Sequence, residues 1–209
     1  MKTKSVKSAV FLGILLVPLL LGGCYLNIFQ TARTLDQGEV HFGLGVGMTT
    51  VTAGESTGFF YSPQAQLGLG LADGLQLTLQ AGALVTIGDG SAFQFAGAAG
   101  ELKTRLFDEP DAFALALGLG GGWGLNYFGW GVHGSVYFDS TLRFLPLYLV
   151  WRPFISLSGT DGDGSPGFGS IFAGGMRLPF SESASFLLEL DYNAIWNLWS
   201  PGIYLLFNF

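Results

Sequence analysis

Phe113-Ala114-Leu115-Ala116-Leu117-Gly118-Leu119-Gly120 is the stretch that decides the fold. Large apolar residues fall on every second position, with Ala or Gly between them. Successive side chains of a strand point to opposite faces, so a period of two marks a strand with one bulky and one lean face. The same interleaving recurs over Val40–Val46, where His41, Gly43 and Gly45 alternate with apolar residues, and over Gln66–Leu71. It recurs again at Ile203–Phe209, where Ile203, Leu205, Phe207 and Phe209 oppose Tyr204, Leu206 and Asn208.

Read outward between turn signals, the pattern predicts about ten strands, near 38–48, 59–71, 75–87, 92–106, 112–125, 129–139, 146–158, 168–180, 184–194 and 202–209. Eight is the alternative, if 92–106 and 146–158 are not full strands. Segment 92–106 is the least regular, because Glu101, Lys103, Thr104 and Arg105 follow a run of Ala and Gly. Short turns are expected at Ala72-Asp73-Gly74, Asp108–Asp111 and Pro179–Ser183, and longer loops at 49–58, 159–167 and 195–201.

Composition selects among β-architectures. The chain is 49% hydrophobic and 11% charged, yet no stretch after residue 24 is long enough for a membrane helix, which needs about 20 residues. A soluble sandwich places charged residues on its outer face. Here the lean face is Gly, Ala, Gln, Thr and Ser instead. The prediction is therefore an all-β, transmembrane, antiparallel up-and-down barrel with an apolar face toward lipid and a narrow, modestly polar lumen. Trp123, Tyr127, Phe128, Trp130, Trp196 and Trp199 are expected to form one aromatic girdle, and Phe107, Phe138, Phe144 and Phe180 the other.

The two termini carry resemblances. Lys2, Lys4 and Lys7 precede the apolar run Ala9–Leu21, as in a secretory signal peptide. Leu21-Gly22-Gly23-Cys24 resembles a lipobox, which implies cleavage after residue 23 and lipidation of Cys24. Tyr25 rather than Asp follows, which is compatible with transfer to the outer membrane. Strand 202–209 resembles the closing strand of bacterial outer-membrane β-barrels, whose terminal Phe is an assembly signal, and this implies that Phe209 engages the barrel-assembly machinery. The expected organisation is a signal peptide at 1–23, a lipidated tether at 24–37 and a barrel at 38–209, with outer-membrane lipids as partners. An even strand number returns the chain to the side on which it started, so both ends are expected at the periplasmic face.

Loss of residues 1–23 removes three Lys and no acid, leaving 6 basic residues against 15 acidic ones, about −9. Such a chain is a poor nucleic-acid binder. A single Cys excludes a disulfide framework and a thiolate metal site. No cofactor is implied. Thr160–Ser165 has oxygen ligands on alternate residues but lacks the bidentate acid of a calcium loop, because Phe172 stands in its place.

Candidate lumen residues follow from parity. Arg177 is expected roughly opposite Glu189 across the hairpin of the eighth and ninth strands, with Asp191 on the same face. Barrel closure brings Glu39 and His41 near Tyr204 and Asn208. Gln64, Gln66, Gln76, Gln80 and Gln94 are expected to line the lumen, with Gln66 facing Gln80. Gly43, Gly45, Gly47, Gly68, Gly70, Gly118 and Gly120 remove volume from it, so that either rings such as Tyr137 and Tyr204 cover them or a slim cavity remains. A filled lumen is expected. His133 and Ser135 share a face and faintly resemble the His-and-Ser pair of outer-membrane lipid A deacylases, but they lack an evident orienting carboxylate and point inward. The expected role is non-enzymatic, structural or surface-interacting, with no catalytic residue. The alternatives are a narrow channel or carrier for a small solute, and a membrane-lipid hydrolase.

Overall fold

The computed structural model describes residues 27–53, 56–86, 92–109, 112–124, 129–142, 145–157, 166–195 and 197–209. Residues 1–23, expected as a signal peptide, and Cys24, Tyr127, Phe128, Phe144, Trp196 and the acidic loop 160–165 lie outside these residues.

Ten strands make up the chain: β1 (Val40–Ala53), β2 (Ser56–Ala72), β3 (Leu75–Thr86), β4 (Ala92–Asp108), β5 (Phe113–Gly124), β6 (Gly129–Leu142), β7 (Leu145–Ser156), β8 (Gly167–Pro179), β9 (Ala184–Asn193) and β10 (Leu198–Asn208). Each pairs antiparallel with its neighbour in sequence, and β1 pairs with β10 to close the barrel. The two segments in doubt form full strands, β4 and β7, which selects ten over eight.

The irregularity of β4 has a local cause. Ala96 and Leu106 have no partner across their ladders, so the strand carries two bulges. Each inserts one residue and shifts the inward–outward alternation. At the first bulge Gly97 faces Gly124, and both have φ near +150°. Two strand segments correct the expected loops. Residues 49–53 and 56–58 extend the β1–β2 ladder to Ala53↔Ser56, and β10 begins at Leu198. Thr49, Thr50, Val51 and Thr52 are all β-branched and suit an extended ladder better than a loop.

The turns 73–74 and 180–183, together with Glu109 and Ala112, lie with Asn208 at one end of the barrel, here the short-turn end. There Val40 and Phe209 exchange backbone hydrogen bonds of 3.1 and 2.8 Å, and His41 stands opposite Asn208. Polarity is inverted relative to a water-soluble protein. Leu119 is 72% exposed and Leu149 58% on the outer face, whereas Glu101 and Lys103 are 2% exposed inside. Trp123, Trp130 and Trp199 are exposed toward the long-loop end. Phe107, Phe113 and Phe138 stack in series near the short-turn end, at 4.7 and 6.0 Å between centroids.

The described part of the expected tether, residues 27–37, lies within the barrel up to Leu35. From Asn27 to Leu35 the chain runs through the lumen, with Asn27–Ala32 buried, and it leaves at the short-turn end where Gly38 N donates to Gly70 O at 2.9 Å.

Candidate functional site in the occluded lumen

Segment 27–37 is irregular and has no strand partner among the described residues, so its peptide groups need acceptors and donors from the barrel wall. Side chains supply them. Glu189 on β9 places both carboxylate oxygens 2.8 Å from Phe29 N, and Asp191 accepts from Ile28 N at 3.2 Å. Asp139 on β6 accepts from Ala32 N at 2.7 Å and Arg33 N at 3.3 Å. Gln76 on β3 accepts from Leu35 N at 3.1 Å. On the carbonyl side, Gln80 donates to Asn27 O at 2.7 Å, and Lys103 Nζ donates to Thr31 O at 2.8 Å and Arg33 O at 3.3 Å. Gln64 also flanks Asn27, in the amide orientation that donates to its carbonyl at 3.2 Å and accepts from its N–H at 3.3 Å.

Packing completes the seat. The Phe29 ring stacks on Tyr204 at 4.7 Å between centroids, and Phe29 holds a left-handed backbone, φ +44°. That conformation is unfavourable for a bulky residue and needs its surroundings to hold it. Here the Glu189 carboxylate grips the N–H while Tyr204 holds the ring. A Cβ on Gly47 would strike Asn27, one on Gly202 would strike Phe29, and one on Gly70 would strike Asp36. These glycines leave the space that the segment fills.

A second layer lies beside it. Glu101 on β4 reaches across β5 to β6 and β7. Its Oε2 lies 2.8 Å from His133 Nε2, 2.8 Å from Ser135 Oγ and 2.9 Å from Arg152 Nη2, and its other oxygen accepts from the Tyr137 hydroxyl. Arg152 also donates to Ser135 Oγ at 2.9 Å and to the Tyr137 hydroxyl at 2.8 Å. The reach is possible because β5 presents Gly118 and Gly120 inward. A Cβ at Gly118 would lie 2.6 Å from Glu101 Oε1, and one at Gly120 2.7 Å from His133 Nε2. Four polar groups on two strands thereby satisfy one buried carboxylate, the condition under which a buried ion is tolerated.

The expected lumen residues are distributed as follows. Glu189, Asp191, His41, Gln64, Gln66, Gln76 and Gln80 are buried inside the barrel. Gln66 stands opposite Gln80 as expected, and Gln94 stands opposite Leu84. Arg177 pairs in register with Leu187, not Glu189, because the turn closes at Pro179↔Ser185. Its Nε donates to Ser185 Oγ at 3.2 Å, and Gly175 faces Glu189 instead. Glu189 is thus satisfied by the lumen segment and by Tyr148 (3.0 Å) rather than by a cation. Glu39 precedes β1 on the exposed rim, where it accepts from Asp36 N at 3.0 Å. Tyr204 stands opposite Gly45, four positions along β10 from Asn208.

Glu101, Lys103, Tyr137, Asp139 and Arg152 are the central residues that sequence reading did not bring together. Glu101 and Lys103 do share a face at a spacing of two, and inward glycines on a neighbouring strand mark space for long side chains. Ser135 donates to Glu101 and accepts from Arg152, while His133 Nε2 is bonded to Glu101. The serine hydroxyl is thereby engaged by the ion network.

A closed, ten-stranded, antiparallel up-and-down barrel with an apolar exterior and a polar, occupied interior is a transmembrane β-barrel of the outer-membrane type. Similar solved structures include the N-terminal β-barrel domain of Pseudomonas aeruginosa OprF, with TM-score 0.38, 15% identity, and 84% of this chain and all of that one covered. The translocator domain of the autotransporter NalP from Neisseria meningitidis gives TM-score 0.42 and 12% identity over 84% of this chain and 89% of that one. A de novo designed transmembrane β-barrel gives TM-score 0.37 and 10% identity over 85% and 100%. No family model and no curated protein matches the chain.

Proposed function

We propose that this protein is a small barrel of the bacterial outer membrane, non-enzymatic, whose lumen is closed by its own residues 27–37 and which serves the envelope as a structural or surface-interacting element. The observation that carries this reading is the satisfaction of the segment's peptide groups by Glu189, Asp191, Asp139, Lys103, Gln76 and Gln80. The apolar exterior and the two aromatic belts support the membrane setting, with the short-turn end periplasmic. Single-channel recording in planar bilayers tests closure. The full chain is expected to be silent, and steady open conductance would overturn the reading.

The second reading, a narrow channel for a small solute, draws on the same segment as a removable plug. A lipid on Cys24 bears on it. Three residues of chain span at most about 11 Å, whereas Asn27 lies against Gly47 and Gly202, seven ladder positions above Val40. That is roughly 18 Å from the short-turn end for a strand tilted by about 40°. Anchoring Cys24 in the leaflet at that end requires the segment to leave the lumen. A chain lacking residues 27–37 is then expected to conduct, and substituting Gly45 or Gly68 by Leu to reduce that flux. Intact mass combined with hydrogen exchange on the membrane-extracted protein tells an acylated, unseated form from a seated one.

A further inference from the structure

Beside residues 30–36, at the short-turn end, the lumen opens into a polar vestibule of about 370 Å³. Its wall carries buried or half-buried donors, and neither Lys103 nor Arg177 has a carboxylate within 4.0 Å among the described residues. His41 is 7% exposed and its Nε2 has no hydrogen-bond partner, and the buried Thr34 Oγ1 has none either. Arg177 spends only Nε, on Ser185, and no carboxylate lies within 4.0 Å of its guanidinium among the described residues. Lys103 spends its ammonium on the carbonyls of Thr31 and Arg33. The nearby acids are already engaged or remote. Asp108 pairs with Arg33 at 3.4 Å and Arg105 at 3.2 Å, and Asp139, whose charge is felt by both Lys103 and Arg177, directs its oxygens to two backbone N–H groups. Asp36, Glu39 and Glu182 stand on the exposed rim.

We infer that this vestibule is a binding site for a phosphate-type oxyanion, held by Arg177, Lys103, His41 and Thr34. A guanidinium with two free nitrogens matches two oxygens of such a group, and ammonium, imidazole N–H and hydroxyl supply single bonds to the rest. The anion adds direct charge pairing to two cations that have no carboxylate within 4.0 Å among the described residues, which favours a charge withdrawn from water. The rim acids limit entry to small or flexibly tethered phosphoryl groups. Two sources share this chemistry: free inorganic phosphate, and the headgroup of a phospholipid in the adjoining leaflet.

Titration calorimetry on the full chain in an uncharged detergent tests the site, with inorganic phosphate and dihexanoyl phosphatidylglycerol as separate probes. Saturable binding of either is expected, weakened at least about tenfold in Arg177→Gln and unchanged in Arg105→Gln, because Arg105 is already paired with Asp108. Phosphatidylglycerol binding displaced by phosphate assigns a headgroup site, and phosphate binding alone assigns a free anion. Arg177→Lys, which keeps the charge and loses the fork, is expected to lie between wild type and Arg177→Gln. It serves as the test if Arg177→Gln does not fold. Absence of saturable binding to both probes overturns the site, as does binding that is unchanged in a correctly folded Arg177 variant.

Discussion

Replacing Phe29 by Ala separates the seating of the lumen segment from the folding of the barrel. The wall grips the backbone at position 29 through Glu189, and those bonds survive the substitution. What is lost is the ring, which is stacked on Tyr204 and fills the space over Gly202. Removing a buried Phe side chain costs about 3–5 kcal/mol. The ten-strand ladder does not depend on that ring, so the loss falls on the equilibrium between seated and withdrawn segment. At about 1.4 kcal/mol per decade, the withdrawn population rises by roughly two to three and a half orders of magnitude. Hydrogen exchange in micelles reads this directly. Amide protection at Phe29, Ala32 and Leu35 is expected to fall by that factor, while the β1–β10 ladder and heat-modifiable gel migration stay as in wild type. Unchanged protection over 27–37 in a correctly folded variant would refute the claim that Phe29 keys the segment into the lumen.

Glu101→Gln removes the charge that Arg152 depends on, and breaking one side of a buried pair is expected to lower stability by about 3–5 kcal/mol in urea unfolding; adding Arg152→Met should recover most of it, and simple additivity of the two losses would show that the groups act independently. His133→Ala is expected to leave the membrane-lipid profile of expressing cells unchanged, and a lost hydrolysis product would revive the hydrolase reading. Deleting Phe209 removes both backbone bonds to Val40 and the terminal aromatic residue, so the heat-modifiable, membrane-embedded fraction should drop; full assembly without it would show that closure rests on the rest of the β1–β10 ladder.

Most of the ladder was legible because period-two patterning is a local property. Strand existence, the ten-fold count, the facing of Gln66 and Gln80, and the closure of β1 on β10 all followed from parity and turn spacing. The failures have particular causes. Arg177 was displaced by two positions because a turn's register depends on where its closing pair forms, at Pro179↔Ser185. Glu101 read as part of an irregular polar run because two bulges break the alternation of β4. Its partners sit on β6 and β7, beyond a strand whose glycines let the side chain pass over, and no local pattern in one strand encodes that reach.

The sequence by itself determined that this chain is a barrel with a greasy outside and a lean inside, since each strand states which of its faces is bulky. It left open whether rings such as Tyr137 and Tyr204 cover the inward glycines or a slim cavity remains. What fills the lumen was decided only by the tertiary structure. Segment 27–37 has no periodicity and reads as a linker, because the groups that satisfy it come from β3, β4, β6 and β9 and converge only when the sheet curls closed. An extended peptide in water needs no such partners. Inside a sealed barrel every N–H and C=O must find one, and that requirement places Glu189, Asp191, Asp139 and Lys103 around the thread.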